Sequence, residues 1–470
     1  MSFTTLTYLA FLLICVCAYY TLPKQTKQIS LLAFSVFFYA YAMPKQLLIM
    51  MVYLWIVFMI GHGIYRMTGI LRKLMLVSGI ITSVGFLFFY KYLNFTFSIF
   101  GLEEVNFSFI VPIGISYVTF QCIAYLVELY KGKIEVITNP VNFFVYTLLF
   151  VKITAGPIES PVRFLDNLVS EKPVEWNDMV HGIRLMAVGF VKKMVIADSL
   201  APYIAVILDN PSDKDGLSIL LGMFFYSLQI YFDFSGYTDI ARGSAALFGI
   251  GLTENFNHPY LSKNIREFWR RWHISLSDWL KNYIYFPLGG SRVGTFRRYL
   301  NVMIVFLVSG VWHGASVTFI VWGLLHGLYQ VMEMLLEPWA PKVRAALHIK
   351  EEGKLSGILA AIRTFVLVMI AWVFFRASSM GQALTILGRL FAPWENIVWI
   401  YNNYLPDVKL LLLLLVSLLF VWGAEYWFKT MAKKNSATVV VSVVSIWLVL
   451  MVLVFTSGTA TVNSFIYFDF

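Results

Sequence analysis

The sequence predicts an all-α polytopic membrane protein that forms one integral domain. Of its 470 residues, 59% are hydrophobic and only 13% are charged, which is about half the charged fraction usual for soluble domains. Apolar stretches near the ~20 residues that cross a bilayer recur along the chain. Such a chain has too few polar residues to cover a water-facing surface, which excludes an ordinary soluble enzyme and a disordered protein. The net charge of +10 is therefore expected mainly on cytoplasmic surfaces.

The first apolar stretch, residues 2–22, carries no charge and is predicted to be a retained first span. Lys24 and Lys27 follow it, so the positive-inside rule places this loop in the cytoplasm and the N-terminus outside. About ten to twelve crossings are expected in total. The further apolar segments are 29–42, 47–60, 74–89, 109–129, 141–153, 185–207, 217–230, 238–252, 300–311, 315–334, 358–375, 410–427 and 437–455.

The chain is expected to divide into N-terminal helices (1–110), a catalytic core (111–340) and C-terminal helices (341–470). Three lysines predict a cytoplasmic loop before the last span; they are Lys429, Lys433 and Lys434. The three cysteines lie in apolar stretches and have neither a disulfide framework nor metal-ligand spacing.

The densest polar patch is residues 263–298, where eight basic and two acidic residues leave a net charge of +6. Aromatic and leucine side chains recur at three and four spacings from Arg266 to Tyr283, which predicts one amphipathic interfacial helix with His273 at the edge of its apolar face. One interpretation is an anchor for anionic lipid, with His273 as a spacer. The other is an entrance for an anionic, phosphate-bearing cosubstrate, because Arg and Lys supply phosphate contacts.

Two histidines lie in the apolar stretch 301–331, where Tyr329 is the only other ionisable residue. A titratable group at membrane depth is a functional candidate, and His suits proton transfer near neutral pH. On one continuous helix the thirteen residues from His313 to His326 would turn the two rings to different sides. Either histidine could instead be a packing group. The sequence contains no HExxH and no GxSxG motif, which argues against a zinc site and a serine hydrolase.

Further polar residues interrupt apolar sequence at two places. Asp233 and Asp239 flank Ser-Gly-Tyr, which predicts a broken helix; they either line a substrate tunnel or form ion pairs with Arg242 or another base. Gln121, Tyr125 and Glu128 follow at four and three spacings, so they should form one polar stripe that faces the interior of a bundle.

Several motifs identify a family. Three stretches resemble the membrane-bound O-acyltransferase (MBOAT) family: FWRRWHISLSDWLKNYIYFPLGGSR, VSGVWHGA and WGLLHG. Five others resemble its bacterial alginate O-acetyltransferase branch: PIGISYVTFQCIAYLVELY, TAGPIESPVRF, QIYFDFSGYTDIARGSA, AWVFFRA and SFIYFDF. The resemblance extends from about residue 111 to the C-terminus and implies a ring of about ten to twelve transmembrane helices around a central tunnel, with re-entrant and amphipathic helices.

The resemblance also implies roles for particular residues. It makes His313 the acyl-transfer histidine and His273 the second catalytic histidine. The residues expected to line or support the tunnel are His326, Asp233, Tyr237, Asp239, Gln121 and Trp312. The residues expected to bind the donor are Arg266, Arg270, Arg271 and Lys281.

The implied activity is movement of acetyl groups from cytoplasmic acetyl-CoA across the membrane for O-acetylation of an extracytoplasmic polysaccharide, such as an alginate-like polymer or peptidoglycan, with no metal and no nucleic acid. The implied location is the bacterial cytoplasmic (inner) membrane. The implied partners are an SGNH/GDSL-type acetyltransferase and a polysaccharide biosynthesis or secretion complex. Three rivals stay open. They are D-alanyl transfer to teichoic acid from an acyl-carrier protein, a transporter or flippase that uses the buried His and Asp residues as a proton relay, and a scaffold for a secretion complex.

Overall fold

The fold is known from a computed structural model, which describes residues 1–102, 110–169, 174–339 and 353–394, together with Leu415, Phe465 and Ile466. The predicted spans at 410–427 and 437–455 and the predicted loop at Lys429, Lys433 and Lys434 lie outside the described residues, apart from Leu415. The proposed division of the chain at 110 and 340 stays a prediction.

The N-terminal part of the chain forms five helices. They are α1 (Leu6–Thr21), α2 (Lys27–Ala42), α3 (Pro44–Arg66), α4 (Gly69–Lys91) and α5 (Leu93–Ile99). The hydroxyl of Thr5 accepts a hydrogen bond from the Tyr8 amide, so α1 begins after a side-chain cap and is shorter than the predicted span 2–22. Pro44 opens α3 at a position where a missing N–H costs nothing.

The next six helices are α6 (Ile115–Tyr130), α7 (Pro140–Leu148), α8 (Pro161–Val169), α9 (Trp176–Phe190), α10 (Asp198–Leu208) and α11 (Gly216–Ala246). A π-helical stretch, Val191–Ala197, joins α9 to α10. The helix α7 ends at Leu148, before the Gly156-Pro157 pair, and residues 149–160 form a non-helical segment that runs through buried surroundings.

The prediction of a broken helix at 235–237 is wrong, because α11 continues through it for 31 residues. Gly236 serves close packing instead: a Cβ there would stand 2.7 Å from the carbonyl oxygen of Gly189 on α9. The apolar segment 217–230 and residues 238–246 of the next segment are therefore parts of one helix, and the polar residues between them face neighbouring helices rather than a gap.

The remaining described helices are α12 (Ile265–Arg271), α13 (Ile274–Leu280), α14 (Thr295–His313), α15 (Val317–Leu336), α16 (Lys354–Arg376) and α17 (Met380–Arg389). A short π-helical turn, Lys281–Tyr285, follows α13, and the chain then turns at residues 286–292 as the Pro-Leu-Gly-Gly sequence predicts.

The predicted all-α polytopic class is confirmed. Five of the described helices are long and apolar enough to cross a membrane: Pro44–Arg66, Gly69–Lys91, Gly216–Ala246, Val317–Trp339 and Lys354–Arg376. The apolar helices α1 and α6 are shorter. Among the described residues, one isolated β-bridge joins Phe256 to Trp272.

The hairpin of α14 and α15 brings two helix backbones into contact. A Cβ at Gly310 would overlap the carbonyl oxygen of Phe319, and a Cβ at Gly323 would overlap that of Phe306. Small residues at a helix crossing allow this approach inside a membrane. The close crossing decides where the side chains at the end of α14 lie relative to those of α15.

We expect Gly323→Ala to lower the free energy of unfolding by about 1–3 kcal/mol, because the added methyl group must push α14 away. Gly85→Ala is the matched control, since a Cβ at this exposed site in α4 would meet no atom within 4 Å. Thermal unfolding in detergent measures both. A loss of stability as large in Gly85→Ala as in Gly323→Ala would contradict the crossing.

Candidate active site

His273 lies at a break between two short helices. The prediction of one continuous helix from Arg266 to Tyr283 is wrong, because α12 ends at Arg271 and α13 begins at Ile274. His273 adopts a left-handed conformation with φ 45° and ψ 53° and is fully buried, so it does not lie at the edge of an amphipathic face. A non-glycine residue in this region is uncommon, and such strain concentrates at functional sites.

Hydrogen bonds with residues 255–257 stabilise the break between α12 and α13. The backbone of Asn255 accepts from the Ile274 amide at 3.1 Å, and the side-chain oxygen of Asn255 accepts from the Ser275 amide at 3.1 Å. The Asn257 amide donates to Arg271 at 2.9 Å. These bonds take the place of helical ones, so the chain turns inward at His273.

The three histidines predicted as site residues lie in one chain of ring contacts, which we name the histidine cluster: His273, Trp312, His313, Trp322 and His326. Successive ring centroids along it are 6.1, 4.9, 4.9 and 5.1 Å apart. All five side chains are buried. Trp312, a predicted supporting residue, also stacks on Phe120 of α6 with centroids 5.3 Å apart.

The expectation that His313 and His326 face different ways assumed one helix and is wrong. His313 is the last residue of α14, and the chain reverses before α15 begins at Val317. The antiparallel hairpin places both imidazoles against Trp322. A spacing of thirteen residues therefore does not separate them.

His326 is held in one tautomer. The indole N–H of Trp269 donates to its Nδ1 at 3.2 Å, so a neutral His326 carries its proton on Nε2. Trp269 lies on α12, and this bond ties the basic segment to the hairpin.

A cavity of about 650 Å³ lies beside the cluster, between α12, α13 and the beginning of α14. Its four basic lining residues define what we call the basic cavity: Arg266, Arg270, Lys281 and Arg298. Apolar and aromatic side chains, among them Trp269 and Phe306, form other parts of its wall. Since both rings also contact His326, the cavity is separated from His326 by one layer of side chains.

Three of the four predicted donor-binding residues line the basic cavity. The fourth, Arg271, instead pairs with Glu267 at 2.7 Å and reaches the backbone of Asn257. The fourth basic residue of the lining is Arg298 instead. It belongs to the basic patch 263–298, but no role was predicted for it. The sequence does mark this residue, because Arg298 is the last basic residue before the long apolar part of α14.

One carboxylate, Asp278, lines the same cavity. Burial raises the pKa of this carboxyl above its ordinary value, and the nearby ammonium of Lys281 opposes the shift. The four basic side chains of the lining outnumber this one carboxylate, so the lining carries net positive charge. The cavity is therefore suited to negatively charged ligands.

The two aspartates of α11 form buried ion pairs, the alternative considered from the sequence. Asp233 pairs with Lys193 at 2.5 Å, and Asp239 pairs with Lys192 at 2.8 Å and with Arg242 at 3.5 Å. Both lysines lie on the π-helical stretch between α9 and α10. Sequence reasoning did not single out these lysines, although charged residues within an apolar stretch are a recognised signal.

Gln121 and Tyr237 contact the non-helical segment 149–160. The buried ammonium of Lys152 donates to the side-chain oxygen of Gln121 and, at 2.5 Å, to the backbone of Tyr146. The Tyr237 hydroxyl bonds to the Thr154 hydroxyl and accepts from the Ala155 amide at 3.2 Å. The Ile158 amide of the same segment donates to Ser275 at 3.0 Å, which connects this network to the turn at His273.

Residues 4–380 match the MBOAT, membrane-bound O-acyltransferase family. The chain belongs to this family. The match begins well before the first motif at residue 111, so it includes the N-terminal helices, and the resemblance inferred from the motifs is confirmed. The chain is thus an O-acyltransferase, and the histidine cluster lies in the matched part.

Three relatives give the range of similarity. The probable alginate O-acetylase AlgI of Azotobacter vinelandii is 36% identical over 390 residues, 80% of this chain and 74% of that protein. The peptidoglycan O-acetyltransferase of Helicobacter pylori is 34% identical over 388 residues, 75% of this chain and 71% of that protein. The teichoic acid D-alanyltransferase of Bacillus subtilis is 30% identical over 279 residues, 56% of this chain and 68% of that protein.

The MBOAT chain offers imidazole rings as proton-transfer groups at this site. Among the residues that the structure describes, no group of three or more His, Cys, Asp or Glu side chains could hold a metal ion. Imidazole rings in buried, aromatic surroundings are suited to act as general bases or as nucleophiles in acyl transfer.

We expect Asp233→Asn to lower the free energy of unfolding by about 3 kcal/mol, because Lys193 would lose a carboxylate partner inside the protein. The matched control is Asp213→Asn, which breaks an exposed pair with Lys214 and should leave the unfolding midpoint unchanged. Denaturant unfolding in detergent compares the two. An unchanged midpoint for Asp233→Asn would show that the buried pair does not stabilise the fold.

Proposed function

We propose that this MBOAT protein moves acetyl groups from cytoplasmic acetyl-CoA across the membrane for the O-acetylation of an extracytoplasmic polysaccharide, which a partner enzyme completes. The observation that carries the proposal is the arrangement along α14, with a basic cavity at its beginning and the histidine cluster at its end.

The length of α14 favours a donor with a long arm. Arg298 and His313 are fifteen residues apart on one helix, which corresponds to about 22 Å along its axis. A ligand whose phosphates bind Arg and Lys in the basic cavity must extend a thioester far from those phosphates to meet His313. Coenzyme A combines such phosphates with an extended pantetheine arm.

The chemistry assigned to the cluster is a single acyl transfer. The imidazole of His313 takes the proton from the acceptor hydroxyl, whose oxygen forms the ester bond with the acetyl carbon. The carbon–sulfur bond breaks, and the proton passes to the leaving sulfur to give the free thiol. We assign His273, whose ring also contacts Trp312, to orient the thioester.

The relatives support the acceptor class, since their names assign alginate and peptidoglycan O-acetylation. We propose a bacterial cytoplasmic membrane location, with the N-terminus and the acceptor outside. In this orientation the start of α14 faces the cytoplasm and its His313 end faces outward. A partner SGNH-type acetyltransferase, within a polysaccharide biosynthesis or secretion complex, would complete the transfer to the sugar.

The second candidate is D-alanyl transfer from an acyl-carrier protein, which the Bacillus subtilis relative favours. A carrier also presents an acyl group on a phosphopantetheine arm, so the basic cavity suits either donor. Purified protein given labelled acetyl-CoA separates the two. Failure to accept the acetyl label, together with transfer from a D-alanyl carrier, would contradict our proposal.

We expect His313→Ala to lower the rate of acetyl transfer about 10²–10⁴-fold, because the general base is removed. His62→Ala is the matched control, since His62 bonds to Phe58 within α3 and lies outside the histidine cluster. Label transfer from acetyl-CoA measures both, with thermal unfolding as a check of folding. A folded His313→Ala protein with full activity would rule out the assigned base.

We expect Arg298→Gln to raise KM for acetyl-CoA about tenfold with kcat nearly unchanged, because it removes one charge-assisted contact from the basic cavity. The neighbouring Arg297 is exposed and does not line the cavity, so Arg297→Gln should leave KM unchanged. Steady-state kinetics at low and high salt provide the measurement. Equal KM values for the two variants would place the phosphates elsewhere.

A further inference from the structure

The backbone carbonyl groups at the end of α14 accept several side-chain hydrogen bonds, and the proposed reaction assigns these bonds no role. The last carbonyl groups of a helix have no partner within the helix and carry partial negative charge. After His313 the chain leaves in an extended conformation at Gly314 (φ −169°). The carbonyl groups beside His313 therefore depend on donors from other parts of the protein.

Two residues at the end of α4 supply these donors. The ammonium of Lys91 donates to the carbonyl oxygens of Trp312 and His313 at 2.9 and 3.0 Å. The single hydroxyl proton of Tyr92 is shared between the carbonyl oxygens of Val311, at 2.8 Å, and Trp312, at 3.3 Å. Three consecutive carbonyl groups of α14 thus accept hydrogen bonds from side chains at the end of α4.

Lys91 also connects this corner to α6. Its third contact is the hydroxyl of Ser116, at 3.5 Å. The backbone of Ser116 in turn accepts from the Trp312 indole at 3.5 Å. An ammonium group has three N–H donors, and these contacts use one for each of three acceptors. The three N–H donors of Lys91 therefore all have acceptors within the protein. Through them Lys91 joins the end of α4 to α6 and to the last turn of α14, which contains His313.

The charge of Lys91 matches the position it occupies. A cation at a helix C-terminus is stabilised by the helix dipole, and a lysine near the end of an apolar helix is costly unless its charge is used. The imidazole of His313 is confined by Trp312, Trp322 and Phe375, with centroids 4.9, 4.9 and 5.2 Å away. A shift of the last turn would move the ring out of this enclosure.

We propose that Lys91 is a positioning residue for acyl transfer: it fixes the last turn of α14 so that His313 faces the reacting atoms. The proposal rests on the role of His313 in the proposed function. Lys91 lies in the N-terminal helices, outside the motifs that identify the family. The geometry thus gives these helices a direct part in the active site.

The test compares Lys91→Met, Lys91→Arg and Lys73→Met in the full-length protein. Lys73→Met is the matched control, because Lys73 is exposed in the first turns of the same helix. For Lys91→Met we expect kcat for acetyl transfer to fall about 30- to 100-fold, since small misplacement of a reacting group costs about this much. KM for acetyl-CoA should stay within about threefold, because the basic cavity is untouched.

Lys91→Arg should recover most of kcat, since it retains the charge and several donors. Lys73→Met should behave like the native protein. Tyr92→Phe provides a milder variant in case Lys91→Met does not fold, and a several-fold fall in kcat is expected from the loss of one donor. An unchanged kcat in the folded Lys91 and Tyr92 variants, or a rise in KM that accounts for the whole effect, would overturn the proposal.

Hydrogen–deuterium exchange of a peptide that contains residues 308–316 gives a readout independent of activity. Lys91→Met should exchange faster there than the native protein, because the end of α14 opens more often. If the native protein does not use acetyl-CoA, the proposed function fails, and exchange alone then decides the Lys91 proposal. Unchanged exchange in Lys91→Met would overturn it.

Discussion

The structure depends on one constraint: a polar group at membrane depth must be satisfied within the protein, because the surrounding lipid offers no hydrogen bonds. The chain meets this constraint with buried lysines that connect separate helices. Lys193 joins the π-helical stretch to Asp233 on α11, and Lys152 joins the segment 149–160 to Gln121 on α6. Lys91 joins the end of α4 to the end of α14. Each polar contact thus fixes the relation of elements that apolar packing alone would hold less specifically.

The same constraint explains why irregular backbone occurs in the interior. The segment 149–160 and the break at His273 would be unstable against lipid, but here their polar groups bond to each other and to neighbouring residues. Ile158 donates to Ser275, and Asn255 satisfies the amides of Ile274 and Ser275. The buried His273 is held where no regular helix could place it.

The site separates its basic side chains from its imidazole rings. Basic side chains gather where α12, α13 and the beginning of α14 meet, and the imidazoles gather where α14 ends. Trp269 belongs to both regions, since it lines the basic cavity and donates to His326. Under the proposed function, this separation allows an anionic donor to be bound without placing its charges in the apolar surroundings of the histidines.

Hydropathy and local motifs are properties of neighbouring residues, and they were enough to predict the membrane class, the all-α fold, the family and the three histidines of the cluster. The sequence also located the basic patch from which Arg266, Arg270 and Lys281 line the cavity. The three-dimensional packing was needed to show that α11 is continuous, that the predicted helix breaks at His273, and that Arg298 rather than Arg271 lines the cavity. It alone brought Lys91 to His313. These outcomes depend on contacts between residues far apart in the chain, such as Asn255 with Ile274 and Gly236 with Gly189, and side-chain periodicity contains no information about them.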